Sequence, residues 1–114
     1  MKTVQVALRN SEQAQSLRDL LLRDGAHQVR LVAEPDTAVA GVIVIDIDHL
    51  EISGALAADR ERVIVMASKA NADLRRAWKA GVRRVVFHGD DLKTLKVAVL
   101  ATELTLAAID GVLS

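Results

Sequence analysis

The run GVIVIDI, Gly41–Ile47, constrains this chain more than any other stretch. It is apolar at successive positions, and five of its residues are Val or Ile. A strand of this kind needs cover on both faces, as in the middle of a parallel sheet between two layers of helices. RVIVMAS, Arg62–Ser68, predicts a second buried strand. TVQVAL (Thr3–Leu8), HQVRLVA (His27–Ala33) and RRVVFH (Arg83–His88) complete a set of five, and the alternation in His27–Ala33 suits a sheet edge.

Helical patterns separate the strands. Asn10 with Gln13 predicts a capped start, Ala14, Leu17, Leu20 and Leu21 form an apolar face, and Gly25 follows as a stop. Asp48 with Glu51 predicts a cap opening a helix to about Asp59. NADLRRAWKAG, Asn71–Gly81, predicts a helix with Leu74, Ala77 and Trp78 inward and Gly81 at its end. Asp90 or Asp91 opens a final helix reaching about residue 113. Strands alternating with helices imply parallel pairing through right-handed crossovers. One connection is anomalous. EPDTAVAG, Glu34–Gly41, is shorter than the dozen or so residues a parallel crossover usually takes, so its helix should be very short or absent.

With 114 residues and no linker-like segment, a single domain spanning 1–114 is expected. Aromatics are 2% of the chain, so the core must be aliphatic. Fifteen basic and fifteen acidic residues give zero formal charge, which argues against a dedicated nucleic-acid binder. The absence of cysteine excludes disulfides, thiolate metal sites and a cysteine nucleophile. No apolar run reaches the length of a membrane span, and a cytoplasmic protein without membrane attachment is expected.

The element order resembles the receiver domain of bacterial response regulators over nearly the whole chain. VIVIDI is similar to that family's third strand, which ends in the phosphoacceptor aspartate, and this places the role on Asp46. AWKAGVRRVVFHGDDLKTL, Ala77–Leu95, is similar to the stretch from the family's fourth helix into its fifth. The resemblance implies a flavodoxin-like α/β three-layer sandwich with a five-stranded parallel sheet in the order 2-1-3-4-5.

The family's chemistry has lost most of its parts here. Leu8, Arg9 and Asn10 stand where an acidic pair would help to hold Mg²⁺. The hydroxyl position after the fourth strand falls on Ala67, with Ser68 next, and the lysine position of the fifth falls on His88. Mg²⁺ held at millimolar affinity is bound by only about 4 kcal/mol. A guanidinium ~6 Å away would repel it by roughly 5 kcal/mol at an effective dielectric of 20. Neither Mg²⁺ nor any other cofactor is therefore expected, and Asp46 is expected to stay unphosphorylated. Three alternatives remain for Asp46: an unusual phosphoacceptor, a retained carboxylate, or a pH-sensitive partner of His88. Arg9, Asn10, Asp46, Ser68 and His88 could also line a cleft for a small ligand. The stretch DIDH, Asp46–His49, invites a metal, but strand alternation should send its side chains apart, and no metal site is expected.

Two features point to association. Arg75, Arg76, Lys79, Arg83 and Arg84 concentrate positive charge, as a solvated face or as a docking site for an acidic partner or nucleic acid. The final helix carries two apolar faces. One holds Leu92, Leu95, Val99, Thr102, Leu106, Ile109 and Leu113; the other holds Val97, Leu100, Ala101, Leu104 and Ala108. A sheet covers one face, so the second should meet a second copy of the chain or an effector region. Leu106 and Ile109, expected to lie beyond the sheet, are the candidate contacts of a homodimer. The resemblance implies a receiver-like signalling interaction module, not an enzyme, with an unidentified signalling protein as partner.

Overall fold

The computed structural model describes residues 2–52 and 60–113. Its elements are β1 (Lys2–Ala7), α1 (Ser11–Leu22), β2 (His27–Leu31), β3 (Val42–Asp46), α2 (Ile47–Ile52), β4 (Val63–Ala67), α3 (Asn71–Ala80), β5 (Arg84–Phe87) and α4 (Leu92–Leu113). The strands form one sheet in the order β2-β1-β3-β4-β5. All four pairings are parallel, with Val4 opposite Val42 and Val44 opposite Ile64. The fold is α/β and flavodoxin-like, as the strand pattern requires. Every residue of β3 and β4 is buried, and β2 stands at the edge.

Two cores flank the sheet. On one face, Val4, Val6, Val42, Val44, Ile64 and Met66 pack against Leu17 and Leu21 of α1 and Leu95 and Val99 of α4. On the other, Ile43, Ile45, Val63 and Val65 pack with Ile47 and Ala77. Asn10 caps α1 by accepting the Gln13 amide at 3.1 Å. Gly81 ends α3 at φ 74°, its N–H directed back to the carbonyls of Ala77 and Trp78. Asp91 accepts the Lys93 amide at 3.3 Å ahead of α4. Among the described residues, no helix is long and apolar enough to cross a membrane.

The link Glu34–Gly41 contains no helix. Side chains replace it. Gln5 of β1 is buried, and its amide donates to the Asp36 carbonyl at 2.9 Å while accepting the Asp36 N–H at 2.7 Å. Arg62 donates to the carbonyls of Thr37, Val39 and Gly41. One glutamine and one arginine thus satisfy backbone groups that a helix would have paired internally. Beside this thin cover, β2 exposes polar Gln28 and Arg30 and also Leu31.

Three expectations about the helices are corrected. Asp48 is not a helix cap: α2 begins at Ile47, and Asp48 lies within its first turn. Leu74 and Trp78 of α3 point outward, and Trp78 is 86% exposed. The buried side of α3 is instead Asp73, Arg76, Ala77 and Ala80, whose spacing is equally helical. Leu106 does not reach past the sheet; it packs, half-buried, on the α1/α4 core, and Ile109 is also half-buried. The open face of α4 is the other one: Val97 is 63% and Leu104 71% exposed, with Leu100 beside them. Residues 53–59, where the helix after β3 was expected to continue, and the side chain of Leu113 lie outside the described residues.

Candidate functional site

The carboxyl ends of β1, β3, β4 and β5 converge on a cleft of about 280 Å³, lined by Arg9, Asn10, Asp46, Asp48, Ser68, Asp73 and His88. Parallel sheets place loops and helix starts at this edge, which is why polar side chains gather there. The five expected cleft residues do come together. Asp48 and Asp73 join them, and so does Arg76 at the rim.

Asp46 is buried, and its Oδ2 accepts the backbone N–H of Arg9 at 2.5 Å. His88 Nε2 stands 3.8 Å from Asp46 Oδ1, inside Coulombic reach and outside hydrogen-bond range. The Arg9 guanidinium turns away from Asp46 and pairs with Asp48 at 3.2 Å. Arg76 bridges Asp48 at 3.0 Å and Asp73 at 3.2 Å. Asp73 also accepts the Ser68 hydroxyl at 2.8 Å and the Ser68 N–H at 3.1 Å. Those two bonds, with Arg76 beside them, hold the Asp73 carboxyl below its ordinary range. Asn10 spends its side-chain oxygen on the α1 cap. His49 leaves the cleft altogether and bonds the Ala33 carbonyl at 2.9 Å.

The outcome is a chain of contacts, Arg9–Asp48–Arg76–Asp73–Ser68, laid across the mouth of the cleft. Each exposed pair alone stabilises by about 1 kcal/mol or less. Together they commit the polar groups that a phosphoryl ligand or a metal would use. A divalent cation does not fit this donor set. Asp46 is bonded to a backbone amide, Asp48 lies between two guanidinium groups, and Asp73 is engaged by a hydroxyl, an amide and an arginine. Among the described residues no group of three His, Cys, Asp or Glu could hold a metal. Of the DIDH stretch, Asp46 and Asp48 both line the cleft, against the expected separation, because the strand ends at Asp46 and Asp48 lies on α2. Asp73 and Arg76 were not expected in the cleft, because the apolar stripe of α3 was assigned as its inward one.

A second polar cluster lies at the opposite end of the sheet, unannounced by any motif. His27, the first residue of β2, is buried between two carboxylates. Its Nδ1 lies 3.0 Å from both oxygens of Asp24, and its Nε2 lies 2.8 Å from Glu103 of α4, itself buried. Burial alone would lower the His27 pKa, but the hydrogen bonds to Glu103 and Asp24 prevail and raise it above 6.5. The Asp24 carboxyl is lowered, first by the Ala26 N–H and then by His27. A sequence signal did exist. Glu103 follows Val99 by four positions and precedes Leu106 by three, on the sheet-facing side of α4.

Compared with known proteins, the chain matches no protein-family model and no curated protein.

Proposed function

We propose that the chain is a receiver-like signalling module of the cytoplasm that works by association rather than phosphotransfer. The carrying observation is the α4 surface: Val97, Leu100 and Leu104 form an outward aliphatic stripe while Leu95, Val99 and Thr102 fill the opposite, buried side. A helix apolar on two sides is suited to burial on two sides. The partner proposed for this stripe is a second copy of the chain, with the two α4 helices meeting at a two-fold axis. The contact residues move accordingly, from Leu106 and Ile109 to Val97, Leu100 and Leu104. Each fully buried aliphatic side chain contributes roughly 1.5–3 kcal/mol, and three from each chain supply roughly 9–18 kcal/mol before association costs are subtracted, against about 8 kcal/mol for a micromolar dimer.

Sedimentation of the unaltered protein should show a dimer at tens of micromolar. Leu100→Glu with Leu104→Glu should give a folded monomer, because both residues are on the solvent side of the helix. A wild-type protein that stays monomeric at high concentration would end the homodimer proposal.

The closed cleft supports the absence of phosphotransfer. Incubation with acetyl phosphate and Mg²⁺ should leave the intact mass unchanged. A stoichiometric adduct that disappears in Asp46→Asn would restore the phosphoacceptor alternative. The approach of His88 to Asp46 favours one second function, a pH-responsive contact at the cleft. Amide shifts around Asp46 that change with pH, and no longer do so in His88→Gln, would support it.

A further inference from the structure

The outward side of α3 inverts the usual arrangement of a surface helix. Its polar and small residues, Asp73, Arg76, Ala77 and Ala80, face the protein. Its two large apolar residues, Leu74 and Trp78, face solvent. They stand four positions apart and so form one ridge. Asn71, Arg75 and Lys79 line the same shallow hollow of about 420 Å³. Arg75 and Lys79 are also four apart, and neither forms an ion pair with any described residue. The carboxylate of α3, Asp73, is turned inward to Ser68 and Arg76. The hollow is therefore an aromatic–aliphatic ridge flanked by two cations that no described residue compensates, on a chain whose net charge is zero.

From this juxtaposition of Trp78 and Leu74 with Arg75 and Lys79, unpaired among the described residues, we infer a docking site for an acidic protein segment carrying apolar anchors. This deepens the association proposed above by naming a partner class, on a helix other than α4. Tryptophan and arginine are the side chains that most often dominate binding energy at protein interfaces. The apolar ridge would take one or two large side chains of the partner. The paired cations would take carboxylates one helical turn apart, which favours an amphipathic acidic helix over an extended strand. Both cations are exposed, so they act chiefly on association rate and partner choice. A basic segment would meet repulsion at both, and this excludes it. Nucleic acid would use the same charges, but the hollow has a single aromatic, whereas strand-tracking surfaces use several stacking platforms.

Trp78 is the sole tryptophan of the chain, so intrinsic fluorescence reports on this hollow directly. In the test, a random-peptide display library is selected on the folded protein and counter-selected on Trp78→Ala with Arg75→Glu. A single-stranded oligonucleotide pool is screened in parallel. The expected result is enrichment of peptides rich in Asp and Glu with apolar residues three or four apart. A synthesised winner should shift Trp78 emission to the blue and saturate. Arg75→Glu with Lys79→Glu should weaken it by about tenfold or more, and Trp78→Ala, followed by anisotropy of the labelled peptide, should do the same. Binding should persist in the monomeric α4 variant, which separates this site from the homodimer surface. Enrichment of basic or uncharged peptides, no enrichment, or preferential capture of oligonucleotides would overturn the inference. So would a free protein whose Trp78 emission is already blue and moves to the red on dilution, since the hollow would then be filled by a second copy.

Discussion

Gly41→Ala should come close to unfolding the protein. Gly41 precedes β3 at φ 118°, a conformation that side chains rarely adopt, and a Cβ there would lie 2.1 Å from the Thr3 carbonyl oxygen of β1. The obstacle is backbone in a central strand, so no rotamer relieves it. Relief requires β1 and β3 to separate at the point where Val4 meets Val42. It would also pull on the Gly41 carbonyl bonded to Arg62. Backbone strain and loss of strand contact together should cost about 4 kcal/mol or more, a large share of the 5–15 kcal/mol that stabilises an ordinary domain. Gly25→Ala supplies the control. Gly25 also has positive φ, at 70°, but an added Cβ would meet nothing within 4 Å, so the cost should be about 1–2 kcal/mol. Urea unfolding of both variants separates conformational strain from collision. Equal midpoints would show that β1 yields at no cost, against this account.

The second large effect belongs to His27. Replacing it with alanine leaves Glu103 buried without its partner, and breaking a buried pair on one side costs about 3–5 kcal/mol. His27→Leu combined with Glu103→Leu should recover most of that loss, because neither charge remains to be buried. The pH dependence follows from the directions of the shifts. The folded pKa of His27 is raised above 6.5, so its contribution is fully present below that value and is lost as pH rises through the folded pKa. The folded pKa of Asp24 is lowered below 3.8, so its contribution is present above that value and lost as pH falls through the folded pKa. Both are complete between pH 3.8 and 6.5, where the protein should be at its most stable. The charge of Lys96 adds, last and least, to the lowering of Asp24. Urea midpoints that stay level from roughly pH 5 to pH 8, or a double variant no better than His27→Ala, would remove the clamp from the list of stabilising features.

The strands and their order could be read from the chain because burial on two faces admits few residue types, and β3 and β4 contain little else. The missing helix was legible for a different reason, since chain length sets a hard limit on what Glu34–Gly41 can form. The placement of α3 was not legible. Two stripes with the same helical spacing compete on that segment, and hydrophobicity selects Leu74 and Trp78. The molecule buries the other stripe because Asp73 finds a partner in Ser68, just ahead of the helix, and Arg76 finds one in Asp48, 28 residues away. A similar difficulty hid the His27 cluster. A histidine at a strand start and a glutamate in a helix are ordinary residues until the topology sets them 2.8 Å apart. In the cleft, residue types and strand ends pointed to Arg9, Asp46, Ser68 and His88, but not to the ion pairs that Arg9 and Arg76 make with Asp48 and Asp73.

The contact between His27 and Glu103 joins positions 76 residues apart, and this has a kinetic consequence. During synthesis β1, α1 and β2 emerge early, yet β2 begins with a histidine and a neighbouring aspartate whose third partner is made near the end. Until α4 arrives, Leu17 and Leu21 also lack the side chains of Leu95 and Val99 that complete their layer. The early half of the chain thus cannot complete this layer by itself, because the side chains that complete it belong to α4. Long-range closure of this sort slows folding relative to chains built from local contacts. It also makes α4 the element that seals the α1 side of the core.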